Sequence, residues 1–334
     1  MSLLEQLRKR QAEVVTSTAV QSIHVKASFL FDKKDAAKIE LDAVYQLALG
    51  GLEVLKKHDP RVRPFEATLF SPSGKEVSRE LQTKEANARL DESVNTFIAL
   101  IAPFFMEKHT HYVLEYLIRR YSIHQFNKTA IFKAVLPYHQ TMTFMKMISL
   151  TKLKGTNMWE FLEPTLGSGV PPKRNIIVSR MLMDRNLLLF VLDMVKEAVA
   201  SRTAYRTMYG FYMTALLEAI ETQGLSENLL RDLWPYIISG LSSSDENYQT
   251  STIMILSTAC WKAAVAHPLI KGAIDSMIAH TTPHLHSNAI RALVMIVQNT
   301  VASSASSSSS SSSAPSAHPL PQMLPSPSSA DSSL

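Results

Sequence analysis

The sequence of 334 residues contains a single cysteine, Cys260. That excludes an intrachain disulfide framework and suits a reducing compartment. No run of 18 or more apolar residues occurs, so nothing reads as a membrane span. The amphipathic opening MSLLEQLRKR leads into no long apolar region and does not read as a secretory signal. Charge is scarce: 19% of residues are Asp, Glu, Lys or Arg, against about a quarter in an average globular chain. Apolar content is ordinary at 46%. A soluble chain with that deficit leaves apolar surface for a partner to cover. Fifteen methionines, suited to adaptable contacts, agree.

Catalytic signatures are missing as well. No GxSxG, HExxH or paired CxxC pattern appears. Gly167-Ser168-Gly169 lacks the following Gly-Lys-Ser/Thr of a phosphate loop and follows no strand, so it reads as a turn. Two His-x-His pairs occur, His109/His111 and His284/His286. Side chains two apart on a helix diverge by roughly 200°, so neither pair converges on a metal; both read as turn histidines at helix starts. Cys260, beside Trp261 on an amphipathic helix, reads as a buried thiol. No catalytic, cofactor-binding or metal-ligating set emerges, and the expectation is a protein that is not an enzyme, with no cofactor and no small-molecule substrate.

What the sequence does contain is helical periodicity. Val113, Leu114, Leu117, Ile118 and Tyr121 fall in one arc of a helix, with Glu115, Arg119 and Ser122 opposite. Glu115 and Arg119 stand four apart in the favourable order, Arg119 with a surface or partner role. Arg120 lies at the edge of the apolar arc, with a packing role. Asn127 is placed to cap a second helix through Ile131, Phe132, Val135 and Leu136, ended by Pro137. Elsewhere Asp35 is the expected cap of a helix over 36–57, Thr83 of one reaching Ile101, and a short Met-rich helix runs from Thr141 to Leu153. Residues 58–82 hold three prolines and a Ser-Pro-Ser-Gly turn, a long loop with one short helix near Phe65–Phe70.

The segment LGSGVPPKR, 166–174, is the clearest internal break, expected to be irregular throughout. Helices are expected around 184–200, 204–222, 227–239, 246–266, 269–281 and 285–300, with Ser243 and Glu246 spaced as a capping box. A shift of 40 residues superposes Leu233 on Ala273, Ile237 on Met277 and Ile238 on Ile278. The same shift sets Ile253 on Leu293, Ile255 on Met295 and Leu256 on Ile296. Two antiparallel helices per period of about 40 residues is the pattern of HEAT-type or armadillo-type solenoids. The expected fold is all-α: a HEAT-like α-solenoid of antiparallel helix pairs. Its parts are an N-terminal helical region over 1–165, HEAT-like repeats over 173–300, and a disordered Ser/Pro-rich tail or linker over 301–334. Ser326-Pro327 in that tail is a weak phosphorylation candidate.

The net charge of +5 is unevenly placed. Residues 1–175 carry 25 Lys and Arg against 18 Asp and Glu, so the remainder is net −2. Within 108–180, eleven basic residues face only Glu115, Glu160 and Glu163. If a polyanion is contacted, the candidate phosphate ligands are Lys128, Lys133, Lys146, Lys152, Lys154, Lys173 and Arg174. The alternative is a set of ordinary solvated helix faces.

Three blocks carry a resemblance. ASFLFDKKDAA (27–37), RVRPFEATLFSPSGKEVSRELQTKEANARLD (61–91) and LEYLIRRYSIHQFN (114–127) resemble the N-terminal region of the very large HEAT-repeat scaffold family of the small-subunit processome. The likeness covers about residues 27–150. Within it Glu115, Arg119, Arg120, His124 and Asn127 are motif residues with a structural or partner role. The resemblance implies a non-enzymatic nuclear, nucleolar scaffold acting early in pre-ribosomal RNA processing and in support of rRNA transcription. Its implied partners are WD-repeat subunits and, directly or indirectly, the 5′ external spacer of the pre-rRNA. A helical adaptor of the nuclear-transport kind is the generic competing reading.

Overall fold

A computed structural model describes residues 27–72, 79, 82–155, 158–263 and 265–309. The opening MSLLEQLRKR, Ser73-Gly74 of the Ser-Pro-Ser-Gly turn and residues 310–334, Ser326-Pro327 included, lie outside the described residues. Among those described there is no strand, and none of the helices is long and apolar enough to cross a membrane.

The N-terminal half begins with α1 (Lys33–Ala36) and α2 (Leu41–His58), a 3-10 helix over Pro60–Glu66, and α3 (Lys84–Ile101). There follow α4 (Lys108–Tyr121), the single turn α5 (Ile123–Phe126), α6 (Lys128–Val135), α7 (Met142–Leu150) and α8 (Glu163–Ser168). Caps explain several starts. Thr83 accepts from the Ala86 amide at 3.2 Å and Thr141 from the Phe144 amide at 3.1 Å, each satisfying an amide that the first turn leaves unpaired. Prolines explain two stops. α3 and α6 both run into 3-10 turns, Ala102–Phe104 and Leu136–Tyr138, with proline at the second position. The two turns are tied together, since Tyr138 Oη donates to the carbonyls of Ala102 (3.0 Å) and Pro103 (3.1 Å). α2 packs closely along α4: a Cβ at Gly51 would lie 2.6 Å from the His109 carbonyl oxygen, so only glycine permits this approach.

The second half is a solenoid of α9 (Arg174–Met183), α10 (Arg185–Ala200), α11 (Arg206–Gln223), α12 (Glu227–Leu241), α13 (Glu246–Lys262), α14 (His267–His280) and α15 (His286–Ser309). α9, α11, α13 and α15 pack successively in one row, and α10, α12 and α14 in the other. α12 and α14 start 40 residues apart, at 227 and 267, as do α13 and α15, at 246 and 286. α11, starting at 206, stands another 40 residues before α13, so the period extends one unit earlier than the apolar matches indicate. Gln249 on α13 is fully buried and ties units together: its amide donates to the carbonyls of Leu241 (2.9 Å) and His280 (3.0 Å), the ends of α12 and α14. Packing is continuous across 166–174, for Tyr205 donates to the Ala134 carbonyl at 3.2 Å and Trp159 meets the Phe190 ring edge-on.

Several boundaries differ from expectation. The helix expected from Ala36 starts at Leu41; Asp32, not Asp35, caps the short α1 before it, accepting from the Lys33 amide at 2.7 Å. The proline-rich loop places its short helix at Pro60–Glu66 rather than near Phe65–Phe70, because Asp59 caps it and accepts from the Arg61 amide at 2.9 Å. Within 166–174, Leu166–Ser168 complete α8, which Gly169 ends in the left-handed region at φ 68°, leaving only a short break before α9. Asp245, not Ser243, caps α13. α15 runs on through Ser309, past the expected limit at Val301, since extending an existing helix adds one hydrogen bond per residue without a new nucleation step.

Candidate interaction surfaces

The motif block 114–127 is built around a buried ion pair. Glu115 is fully buried on α4 and Arg119, one turn later, almost so. Glu115 accepts from the Ser28 hydroxyl (2.8 Å), the amides of Phe29 (2.6 Å) and Leu30 (3.0 Å), and Arg119 Nε (2.6 Å). Arg119 Nη1 donates onward to the carbonyls of Ala36 (3.2 Å) and Ile39 (3.0 Å). The face expected to meet solvent is therefore covered by the strap of residues 28–39, and Arg119 has a buried rather than a surface position. Both ends of the pair also bond strap backbone, which helps make burial of two charges tolerable, although Arg119 Nη2 is buried without a hydrogen-bond partner. Arg120 is half-buried.

Ser122 leaves α4 in the left-handed conformation at φ 49°, turning the chain into α5. Asn127 precedes α6 but makes no capping bond. Its amide instead donates to Asn95 (2.8 Å) and Asp91 (3.1 Å) on α3, while its oxygen accepts from Arg79 at 3.0 Å. Arg79 also pairs with Asp91 and lies 4.6 Å above the exposed Phe126 ring. His124 is buried, and burial, helped by the nearby Lys128, lowers its pKa to about 4. These motif residues fix helices to one another.

The basic candidates do not form one cationic face. Lys133 pairs with Glu197 on α10, Arg174 with Glu218 on α11, and Lys154 with Glu163 at 3.3 Å. Two of these carboxylates come from the second half of the chain, so a charge count along 108–180 does not see them. Lys128 Nζ donates to the Lys152 carbonyl at 3.2 Å. Lys146, Lys152 and Lys173 are exposed and have no carboxylate partner among the described residues.

Where the halves meet, α3, α6 and α10 leave a groove of about 310 Å³ walled by Ala99, Ala130, Ala134 and Ala198, with the Lys133–Glu197 pair at its edge. Small apolar walls suit an apolar side chain of a docked segment. The His-x-His pairs sit at helix starts, as expected: His109 and His111 in the first turn of α4, and His284 and His286 where a 3-10 turn enters α15. His111 Nε2 lies 2.8 Å from the Phe105 carbonyl. Cys260 is buried, and burial raises its thiol pKa to about 11. Among the described residues no group of three His, Cys, Asp or Glu is arranged to hold a metal ion.

A row-by-row solenoid of antiparallel helix pairs at a 40-residue period, held by buried ties rather than by a reactive cluster, defines a HEAT-repeat protein. No family model matches the chain. It is 31% identical over 309 residues to human HEAT repeat-containing protein 1, an alignment covering 89% of this chain and 14% of the human protein. An uncharacterized Arabidopsis thaliana protein is 30% identical over 284 residues, 81% of this chain and 13% of that one. U3 small nucleolar RNA-associated protein 10 of Schizosaccharomyces pombe is 28% identical over 303 residues, 89% of this chain and 18% of that protein. The chain belongs to this family of HEAT repeat-containing protein 1 and U3 small nucleolar RNA-associated protein 10. It spans less than a fifth of the length of these relatives.

Proposed function

We propose that this chain is a non-enzymatic scaffold in small-subunit ribosome biogenesis, working in the nucleolus by docking protein subunits of the processome. The names of its relatives, associated with the U3 small nucleolar RNA, support the process. WD-repeat subunits are the partners, held through a helical or extended segment. In that setting the chain contributes to early pre-rRNA processing and supports rRNA transcription. The observation that favours protein docking over phosphate contact is the neutralisation of Lys133, Lys154 and Arg174 by carboxylates. The test is affinity purification of the chain from nuclear extract, divided and washed with or without ribonuclease, with WD-repeat subunits identified by mass spectrometry. Their retention after nuclease is the expected result; their loss with the RNA refutes protein docking as the primary contact.

A second reading, direct contact with the pre-rRNA 5′ external spacer, rests on Lys146, Lys152 and Lys173, which with Lys128 are the candidates that have no carboxylate partner among the described residues; Lys128 donates to a backbone carbonyl. It requires affinity that falls steeply as salt rises.

A further inference from the structure

The groove between α3, α6 and α10 has a direction. Asn127, just before α6, bonds Asn95 and Asp91 of α3, and Tyr138, just after it, bonds the carbonyls of Ala102 and Pro103. α3 and α6 therefore run the same way. The Tyr138 ring stacks at 6.2 Å on Tyr205, just past the end of α10, and Tyr205 donates to the Ala134 carbonyl at 3.2 Å. All three helices thus end at one corner, which gathers the negative poles of three helix dipoles. Ser201 and Thr203 line the groove at that corner. Arg202 between them is exposed and has no carboxylate partner among the described residues. It stands in the left-handed region at φ 55°, where Arg61 Nη1 donates to its carbonyl at 2.6 Å. Asp59, the acid in that contact, is already taken by Arg61. The other charges on the groove, Lys133 and Glu197, neutralise each other.

We infer that this groove holds an amphipathic helix of a partner protein, lying antiparallel to α3 with an Asp or Glu of its first turn on Arg202. The inference rests on the docking function proposed above and gives that function a site. The walls favour a helix over an extended segment. An extended segment needs partners for its own amides and carbonyls, and the groove has few to give. Its walls are helices whose backbone is bonded internally. Of its polar rim, Asn95 accepts from Asn127, Thr96 donates to the Glu92 carbonyl and Ser201 to the Glu197 carbonyl. A helix satisfies its backbone by itself and strands nothing in the cleft. Ala99 and Ala102 on α3, and Ala130 and Ala134 on α6, stand at helical spacing and let a fourth helix approach closely. The groove runs along α3 over 95–102 and along α10 over 194–201, about two turns of each. Its occupant therefore presents apolar side chains at i, i+3 or i+4, and i+7. The corner sets the direction. A helix N-terminus is the positive pole and faces three negative ones, and an acid in its first turn is stabilised by its own dipole and by Arg202 together. The reversed helix would bring a fourth negative pole to the same corner.

The test is photo-crosslinking of the full chain, with p-benzoylphenylalanine in place of Thr96 on the exposed rim, in ribonuclease-treated nuclear extract. Mass spectrometry maps the cross-linked segment, which is then made as a synthetic peptide and its affinity for the full chain read by fluorescence anisotropy. Expected is a segment of a WD-repeat subunit that gains helical circular dichroism on binding and has Asp or Glu in its first turn. Arg202→Glu should weaken the peptide about fivefold, and replacing the peptide's acid by lysine should restore most of that loss. Ala99→Phe fills the cleft and should weaken it by about tenfold or more. Met183→Glu, at an exposed apolar position on α9, should change nothing. Circular dichroism checks that each variant is folded; if Ala99→Phe is not, the surface variant Arg202→Glu decides. An adduct with RNA, with residues 1–26 of this chain, or with a segment that binds without becoming helical overturns the inference. So does an affinity indifferent to Arg202→Glu. WD-repeat subunits that stay bound but form no adduct refute the groove and leave the docking function standing. If they neither stay bound nor form an adduct, both fail.

Discussion

Removing Glu115 tests the central claim about the motif block. The carboxylate receives four hydrogen bonds, two of them from strap amides, and it neutralises a buried guanidinium. Glu115→Leu strands Arg119 and the amides of Phe29 and Leu30. Breaking one partner of a buried pair costs about 3–5 kcal/mol. Arg119→Met strands a carboxylate that keeps three donors, at roughly 2–3 kcal/mol. The double variant leaves no buried charge, so its cost should be about 4 kcal/mol, well short of the sum of the singles.

A repeat protein does not unfold as one unit, so a single global free energy is a poor readout. Hydrogen exchange of the strap peptide, residues 27–40, reports the local event directly. Glu115→Leu should speed exchange there by about 10²–10³-fold, since each 1.4 kcal/mol is tenfold, with far smaller effects in α12–α15. Acceleration below about tenfold would show that the strap is held by its apolar contacts, Phe29 above all, and not by the ion pair. Strict additivity in the double variant would refute the coupling itself.

Three further outcomes follow from local geometry. Gly51→Ala forces a methyl group to within 2.6 Å of the His109 carbonyl oxygen; prying α2 from α4 should cost about 2 kcal/mol or more, seen as a lower midpoint in thermal denaturation. His124 has its pKa lowered from 6.5 to about 4, so the folded state binds its proton less tightly than the unfolded chain. The stability it confers is complete above about pH 6.5 and is lost as pH falls toward 4. The loss between pH 7.5 and 5 is roughly 2 kcal/mol, and His124→Asn should flatten the urea-midpoint profile in that window. Reversing Lys146, Lys152 and Lys173 to glutamate together should leave retention of WD-repeat subunits unchanged; any RNA affinity that persists should not lose salt dependence, whereas a marked loss would favour the phosphate-contact reading.

The sequence carries local signals well and distant ones poorly. Thr83 and Thr141 are legible as caps because a cap is a bond to a residue three positions away. The 40-residue register is legible because units bury equivalent positions, Leu233 with Ala273, Ile237 with Met277 and Leu256 with Ile296, although Ile278 and Met295, matched to Ile238 and Ile255, are exposed. Arg119 is not legible as buried. Its helix shows one apolar arc, and the strap that covers the opposite side lies about 80 residues earlier and contacts it through backbone groups, which leave no side-chain pattern. Lys133 and Arg174 are misread for the same reason, since their carboxylates at Glu197 and Glu218 belong to another stretch of chain.

The scarcity of charge has a location, and that location bears on what the molecule does. A deficit spread evenly would scatter single exposed apolar residues over the whole surface, which needs no explanation. Among the described residues eight of the fourteen exposed large apolar side chains are scattered in this way, but Met254, Trp261, Ile290, Val294, Met295 and Val297 lie on two neighbouring helices that carry three charges between them. In the basic stretch 108–180, by contrast, Lys133 pairs with Glu197 across the two halves and Arg174 pairs with Glu218 between α9 and α11. These two cations thus serve the fold, and on the proposed docking function the apolar positions of α13 and α15 are a further surface to test. Binding through such a surface should strengthen or hold as salt rises, because burial of apolar area is not screened. A scaffold whose contacts weakened steeply with salt would place its function back in the lysines.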